Sequence, residues 1–158
     1  MTIRTALLAV ALAAAPLAVA PATADGPIRL GVLNCQVVGG TGFIVGSHRT
    51  LACTYVSAAS NKRETYAGEI TRLGIDIGAV NFTGIAWAVL APAAVPHGAL
   101  AGGYVGASAE ATVGVGVGAN ALIGGFGNSI ILNPISVQAQ TGANIAAGIA
   151  GLTLTATR

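Results

Sequence analysis

Apolar and polar positions alternate with a period near two along most of the chain. Clusters of Gly, Pro, Asn and Ser interrupt the alternation every ~8 to 12 residues, the pattern of short half-buried strands joined by turns. Residues 28–38 read as a strand ending at the turn Gly39-Gly40-Thr41-Gly42, residues 43–45 as a short one, and residues 50–56 as one ending at Ser57-Ala58-Ala59-Ser60-Asn61. Residues 64–77 follow, with Tyr66, Gly68, Ile70 and Arg72 on one face, Glu69, Thr71, Leu73 and Ile75 on the other, and Gly74 as a bulge or close-approach point. Residues 84–90 set Ile85, Trp87 and Val89 against Gly84, Ala86 and Ala88 before Pro92 and Pro96 close the segment. Residues 129–140 and 144–157 supply two more strands; a helix over 143–150 is the weaker reading, because Gly148 and the β-branched residues oppose it. The expected fold is all-β: one small domain, a barrel or sandwich of roughly seven to nine antiparallel strands, rich in Gly, Ala and Val.

Between residues 102 and 125 the alternation takes an extreme form. Ala111, Val113, Val115 and Val117 oppose Thr112, Gly114, Gly116 and Gly118, so one face is branched and the other bare. Gly inside a strand costs conformational entropy, which suggests that another backbone or a bulky group lies against the bare face. Gly114, Gly116 and Gly118 are therefore the candidate interaction face, covered by a second copy or by an envelope component. Charge sharpens this expectation. Only 8% of the chain is charged and 54% is apolar, and after Asp76 the charged residues are Glu110 and Arg158. A half so poor in charge either fills the interior or presents a surface that something else covers. The formal charge of +2 and an aromatic content of 4% leave little to track phosphates or stack bases, so no nucleic-acid partner is expected.

The first 24 residues have a separate reading. Arg4 precedes an apolar run from Ala6 to Ala20, Pro16 interrupts that run, and Ala22-Thr23-Ala24 is a small-x-small cleavage site. This is the layout of a cleaved secretory signal, too short for the ~20 residues of a spanning helix. The expected mature domain covers residues 25–158, and no later apolar stretch reads as a transmembrane helix. Export gives the two cysteines, Cys35 and Cys53, an oxidising compartment, in which an even pair forms a disulfide. A metal or redox pair is the weaker alternative, because the spacing matches no CxxC motif and His48 lacks a second His at ligand spacing.

Catalytic constellations fail one by one. Ser47, His48, His97 and Asp76 offer the residue types of a triad, but no G-x-S-x-G elbow frames a serine. Glu64 and Glu69 stand five apart, on opposite faces of a strand, and Lys62-Arg63-Glu64 reads as a solvated turn; His48 and His97 read as solvated loop residues. Gly116-Val117-Gly118-Ala119-Asn120-Ala121 satisfies a relaxed dinucleotide pattern but lacks the following helix and the acidic residue about 20 positions on. Asn81-Phe82-Thr83 is a formal sequon without an assigned role. No enzyme activity, cofactor or metal is expected.

Several segments together resemble a known family: Gly31-Val32-Leu33-Asn34-Cys35, Leu51-Ala52-Cys53-Thr54, Ala86-Trp87-Ala88-Val89-Leu90-Ala91-Pro92, Val113-Gly114-Val115-Gly116-Val117-Gly118-Ala119-Asn120 and Asn144-Ile145-Ala146-Ala147-Gly148. The chain is similar over nearly all of its mature length to the domain of unknown function 992, small exported proteins found mainly in alphaproteobacteria. The resemblance implies no activity for any residue. The expected role is that of a periplasmic or secreted structural or interaction protein of the cell envelope, and the alternative is a carrier or sensor of an apolar ligand or lipid. Export should leave a chain beginning at Asp25. Intact mass of the protein from its native host checks this, and a form that still begins at Met1 or Thr2 would overturn the compartment and the disulfide expectation together.

Overall fold

A computed structural model describes residues 26–41, 48–73, 82–106, 120–139 and 149–157. The strands among them are β1 (Ile28–Thr41), β2 (His48–Ser57), β3 (Arg63–Leu73), β4 (Phe82–Ala91), β5 (Gly102–Gly106), β6 (Leu122–Gly124), β7 (Ile130–Ala139) and β8 (Ile149–Thr157). They close into one barrel in the order β1-β2-β3-β8-β5-β6-β7-β4, every neighbouring pair antiparallel. Of the two all-β architectures the sequence allows, the barrel is the one formed.

The period-two pattern places the bulky core residues as expected, although on β4 the small face of Gly84, Ala86 and Ala88 is buried as well. Tyr66, Gly68 and Ile70 of β3 and Ile85, Trp87 and Val89 of β4 face inward and are buried. Leu33, Leu51, Tyr104, Leu122, Ile130, Leu132 and Leu152 join them from the other strands. An eight-stranded barrel is just wide enough for side chains to fill it, and Trp87, Tyr66 and Tyr104, each less than 2% exposed or close to it, are the largest of those that do. Leu33 faces Tyr55 across β2 and Trp87 across β4, so one strand carries the packing to both sides.

Two sequence expectations need correction. β1 does not stop at Gly39-Gly40: it runs to Thr41, because a register shift between Val37 and Gly39 absorbs one residue and lets Gly39 and Gly40 pair with Thr50 and Arg49. His48 is accordingly the first residue of β2 rather than part of a turn. The expected turn at residues 57–61 does form, closed by Ser57 N–H to the Lys62 carbonyl and Asn61 N–H to the Ser57 carbonyl at 3.0 Å each. Pro134 is accommodated in β7 opposite Trp87, at a register shift. The short strand at 43–45, the expected helix alternative at 143–150 as far as residue 148, and the face Gly114, Gly116 and Gly118 lie outside the described residues.

Cys35 and Cys53 stand directly opposite each other on β1 and β2 and are joined by a disulfide, with Cα atoms 4.0 Å apart. Both sulfurs lie in the barrel interior. Gly68 on β3 leaves room for them, since a Cβ there would sit 3.1 Å from the Cys53 sulfur.

The connections that the structure describes, at residues 58–62, 92–101 and 125–129, share one end of the barrel with the start of β1 and the end of β8. The second of them closes that mouth: Ala99 and Leu100 are buried, and Phe126 N–H donates to the Ala99 carbonyl at 3.0 Å.

All three tyrosines of the chain, Tyr55, Tyr66 and Tyr104, are buried. Desolvation is the first cause that raises each phenol above its ordinary value; Glu64 adds to the rise of Tyr66 and Tyr55, while a Ser57 hydrogen bond opposes it at Tyr55. A raised folded-state value means stability that is complete below the unfolded value of about 10 and is lost as pH climbs beyond it. Tyrosinate absorbance should therefore rise above that pH as one cooperative unfolding transition, coincident with loss of Trp87 fluorescence, and independent gradual titration in a folded barrel would contradict the packing. Replacing Cys53 by Ser should cost about 3 kcal/mol of stability for a loop of this length, measured by urea unfolding. Thiol titration of the unfolded wild type should find no free thiol.

Candidate functional site

The barrel end closed by residues 92–101 gathers the polar side chains that the interior excludes. Glu64 has the same parity on β3 as Tyr66, Gly68 and Ile70, so it points inward at the mouth, where it pairs in register with Tyr55 of β2. Its side chain is only 13% exposed. The reading of Lys62-Arg63-Glu64 as a solvated turn is thus corrected at Glu64: Arg63 and Glu64 open a strand, and strand parity turns the carboxylate towards the core while Lys62 and Arg63 stay exposed.

A half-buried carboxylate needs hydrogen-bond donors. Glu64 Oε2 accepts one from the Tyr66 hydroxyl and one from the backbone N–H of Gly98 at 3.1 Å. Gly98 has φ +78°, a conformation that favours glycine and that aims its N–H at the mouth. Tyr104 donates to the Leu100 carbonyl at 2.7 Å, so two buried phenols and one carboxylate pin the closing loop from below. At the neighbouring corner the Leu30 carbonyl, freed by a bulge in β1, accepts from Tyr55 Oη and from Ala58 N–H at 2.9 Å each. The loop and the turn are held by side chains of three strands.

The second oxygen, Glu64 Oε1, lies 3.9 Å from His97 Nε2 on the same loop. His97 is 80% exposed, in keeping with its expected solvation, but it stands over the carboxylate rather than free in solvent. Two clefts meet here. One, of about 230 Å³, has Tyr55, Val95 and Leu100 as its wall and Ser57, Lys62 and Glu64 as its polar groups; the other, of about 250 Å³, runs past Arg63, Thr65 and Thr157 on the far side of Glu64.

The remaining candidates do not converge. Glu69 faces outward from β3 and pairs with His48 Nδ1 at 2.9 Å, both well exposed, so it shares no site with Glu64. Such an exposed pair contributes little to stability. Arg49 points inward near the opposite end, and its Nε is buried without a hydrogen-bond partner. Ser47 and Asp76 lie outside the described residues, and Cys35 and Cys53 are committed to their disulfide. Among the described residues no group of three or more His, Cys, Asp or Glu is placed to hold a metal ion. Sequence reasoning missed Glu64 and Gly98. Parity with Tyr66 was the available signal for the first, and nothing local marks the second, 34 positions away.

None of the curated proteins and none of the solved structures compared with the chain matches it. The model of the family described as Protein of unknown function (DUF992) matches residues 13–155. That span takes in every strand of the barrel up to β8, the disulfide and the pinned loop at the mouth, and by it the chain belongs to the DUF992 family.

Proposed function

We propose that the protein is an exported component of the cell envelope that works by binding, not by catalysis, through the uncharged half of its outer wall. The observation that carries this reading is the distribution of charge around the barrel. β4, β5, β6 and β7 are consecutive in the wall, and none of their residues is Asp, Glu, Lys or Arg. Pairing sets Leu90, Ile131, Ile123 and Val105 side by side across these four strands, with Leu90 and Ile123 partly exposed and Ile131 buried. Val105 is 63% exposed, and Ile135 on β7 is exposed as well. On the opposite half the outward positions include Thr50, Thr54, Thr65, Thr153, Thr155, Asn34, Gln36, Arg63 and Glu69, interspersed with Ala52, Ala67 and the exposed Val38.

A wall without charged residues that exposes large apolar side chains such as Val105 and Ile135 is suited to an interaction face. Ala86 and Ala88 of β4 are themselves buried, so the exposed apolar contact of this wall comes from Val105 and Ile135 with the partly exposed Leu90 and Ile123. A bilayer-spanning barrel requires the reverse arrangement, lipid-facing apolar residues all round and a polar interior. Here the interior is filled by Trp87, Tyr66, Tyr104 and aliphatic side chains, so a carrier of an apolar ligand would have to receive it on the outer wall. The disulfide is compatible with an exported protein.

Under this reading the protein, released from its host's envelope, travels as a particle larger than one chain. Val105→Glu, an exposed position that should tolerate the charge, returns it to monomer with unchanged circular dichroism. Light scattering and chemical cross-linking check this. A wild type that is released without detergent as a monomer, and cross-links to the same products as Val105→Glu, would show that the wall binds nothing.

A further inference from the structure

Glu64 is a charge in an unusual position. Burying a carboxylate is costly unless a cation accompanies it, and among the described side chains no Lys or Arg lies within ion-pair distance of it. Its two hydrogen-bond partners, Tyr66 and the Gly98 N–H, are neutral, and both bind Oε2. Among the described residues Oε1 accepts no hydrogen bond, and the His97 ring stands 3.9 Å away. The carboxylate is thus oriented from behind and presented in front.

The surroundings of that oxygen limit what it can receive. The cleft of about 230 Å³ has the Tyr55 ring, Val95 and Leu100 as its wall, so it offers apolar contact and an aromatic ring beside the carboxylate. Tyr55 is fixed by its own hydrogen bond to Leu30, and Leu100 by the burial of its side chain. Lys62 and Ser57 stand among the same lining residues. A plain cation would meet Glu64 but be repelled by Lys62, and a plain anion would meet Lys62 but be repelled by Glu64. A small molecule that carries both charges satisfies both groups. The volume, below the usual 300–1,000 Å³ range of drug-sized sites, holds the occupant to a small one.

We infer that this cleft binds a small zwitterion of the amino-acid class, its ammonium on Glu64 Oε1 and its carboxylate towards Lys62. Beside the exposed His97 ring, whose Nε2 stands 3.9 Å from Oε1, the ammonium brings a full positive charge and three N–H donors to an oxygen that lacks a close hydrogen bond. Any short apolar side chain lies against Tyr55 and Leu100. The site is at the barrel's end and independent of the uncharged wall, so either reading can fail without the other.

The test uses the full mature chain and a panel of neutral amino acids, each with its N-acetyl and C-terminal amide derivative, read by calorimetry and by thermal shift. At least one free amino acid should bind and raise the melting temperature, and acetylation and amidation should each weaken binding tenfold or more. Glu64→Gln, which keeps an oxygen for Tyr66 and Gly98, should lose binding while its circular dichroism stays as in wild type. Lys62→Met, a change at an exposed side chain that leaves the fold intact, should erase the preference for the free acid over the amide. Absence of binding by every amino acid at millimolar concentration would overturn the inference. So would equal binding of the acetylated or amidated compounds, which would show that one of the two charges is not read.

Discussion

Closure of the sheet rests on β1, the strand that pairs with β2 on one side and β4 on the other. Without its ladder to β4 the two strands would present bare edges, open to pairing with other chains. With it, every inward position of the wall looks onto a common interior. Cys35 occupies the pivotal place, opposite Cys53 on β2 and Ile85 on β4. A slip of one residue between β1 and β2 would turn Leu33 and Cys35 to solvent and Asn34 and Gln36 into the core. The covalent link forbids that slip, and the packing of Trp87 and Tyr55 on Leu33 presupposes the same register.

Much of this was legible in the sequence, for a physical reason: strand parity is a local property. Alternation alone assigned Ile85, Trp87 and Val89 to one face and Tyr66, Gly68 and Ile70 to another, and both are core. The cysteine pair was legible from its even count and the expectation of export. What escaped was what depends on distant partners. Gly39 and Gly40 look like a turn until a bulge in β1 and the ladder to β2 keep them in the strand. Barrel and sandwich differ by the β1–β4 pairing, which joins strands some 50 residues apart and leaves no local mark. Glu64 was hidden by its neighbours, because a run of Lys62, Arg63 and Glu64 has the composition of a solvated turn, whereas its parity with Tyr66 points inward.

The polar groups and the apolar wall divide the molecule between two tasks. Half of the outer surface carries the Thr, Asn, Gln and Glu side chains that keep a chain of 8% charge in water. The other half, β4 to β7, carries no Asp, Glu, Lys or Arg. The mouth stands apart from both: there the interior ends in a carboxylate, two phenols and a loop whose backbone N–H groups are spent on holding it shut.

The disulfide's position also sets an order of events. Its sulfurs belong to residues only 2% and 3% exposed, inside a wall of strands closed on all sides. An oxidising enzyme must therefore reach the thiols while the sheet is still open, so that bond formation precedes closure. A reductant faces the same obstacle in reverse. It can attack only when β1 or a neighbour detaches, and the lifetime of the bond in a thiol buffer becomes a clock for the opening of the barrel, set by the unfolding barrier instead of by the reactivity of sulfur.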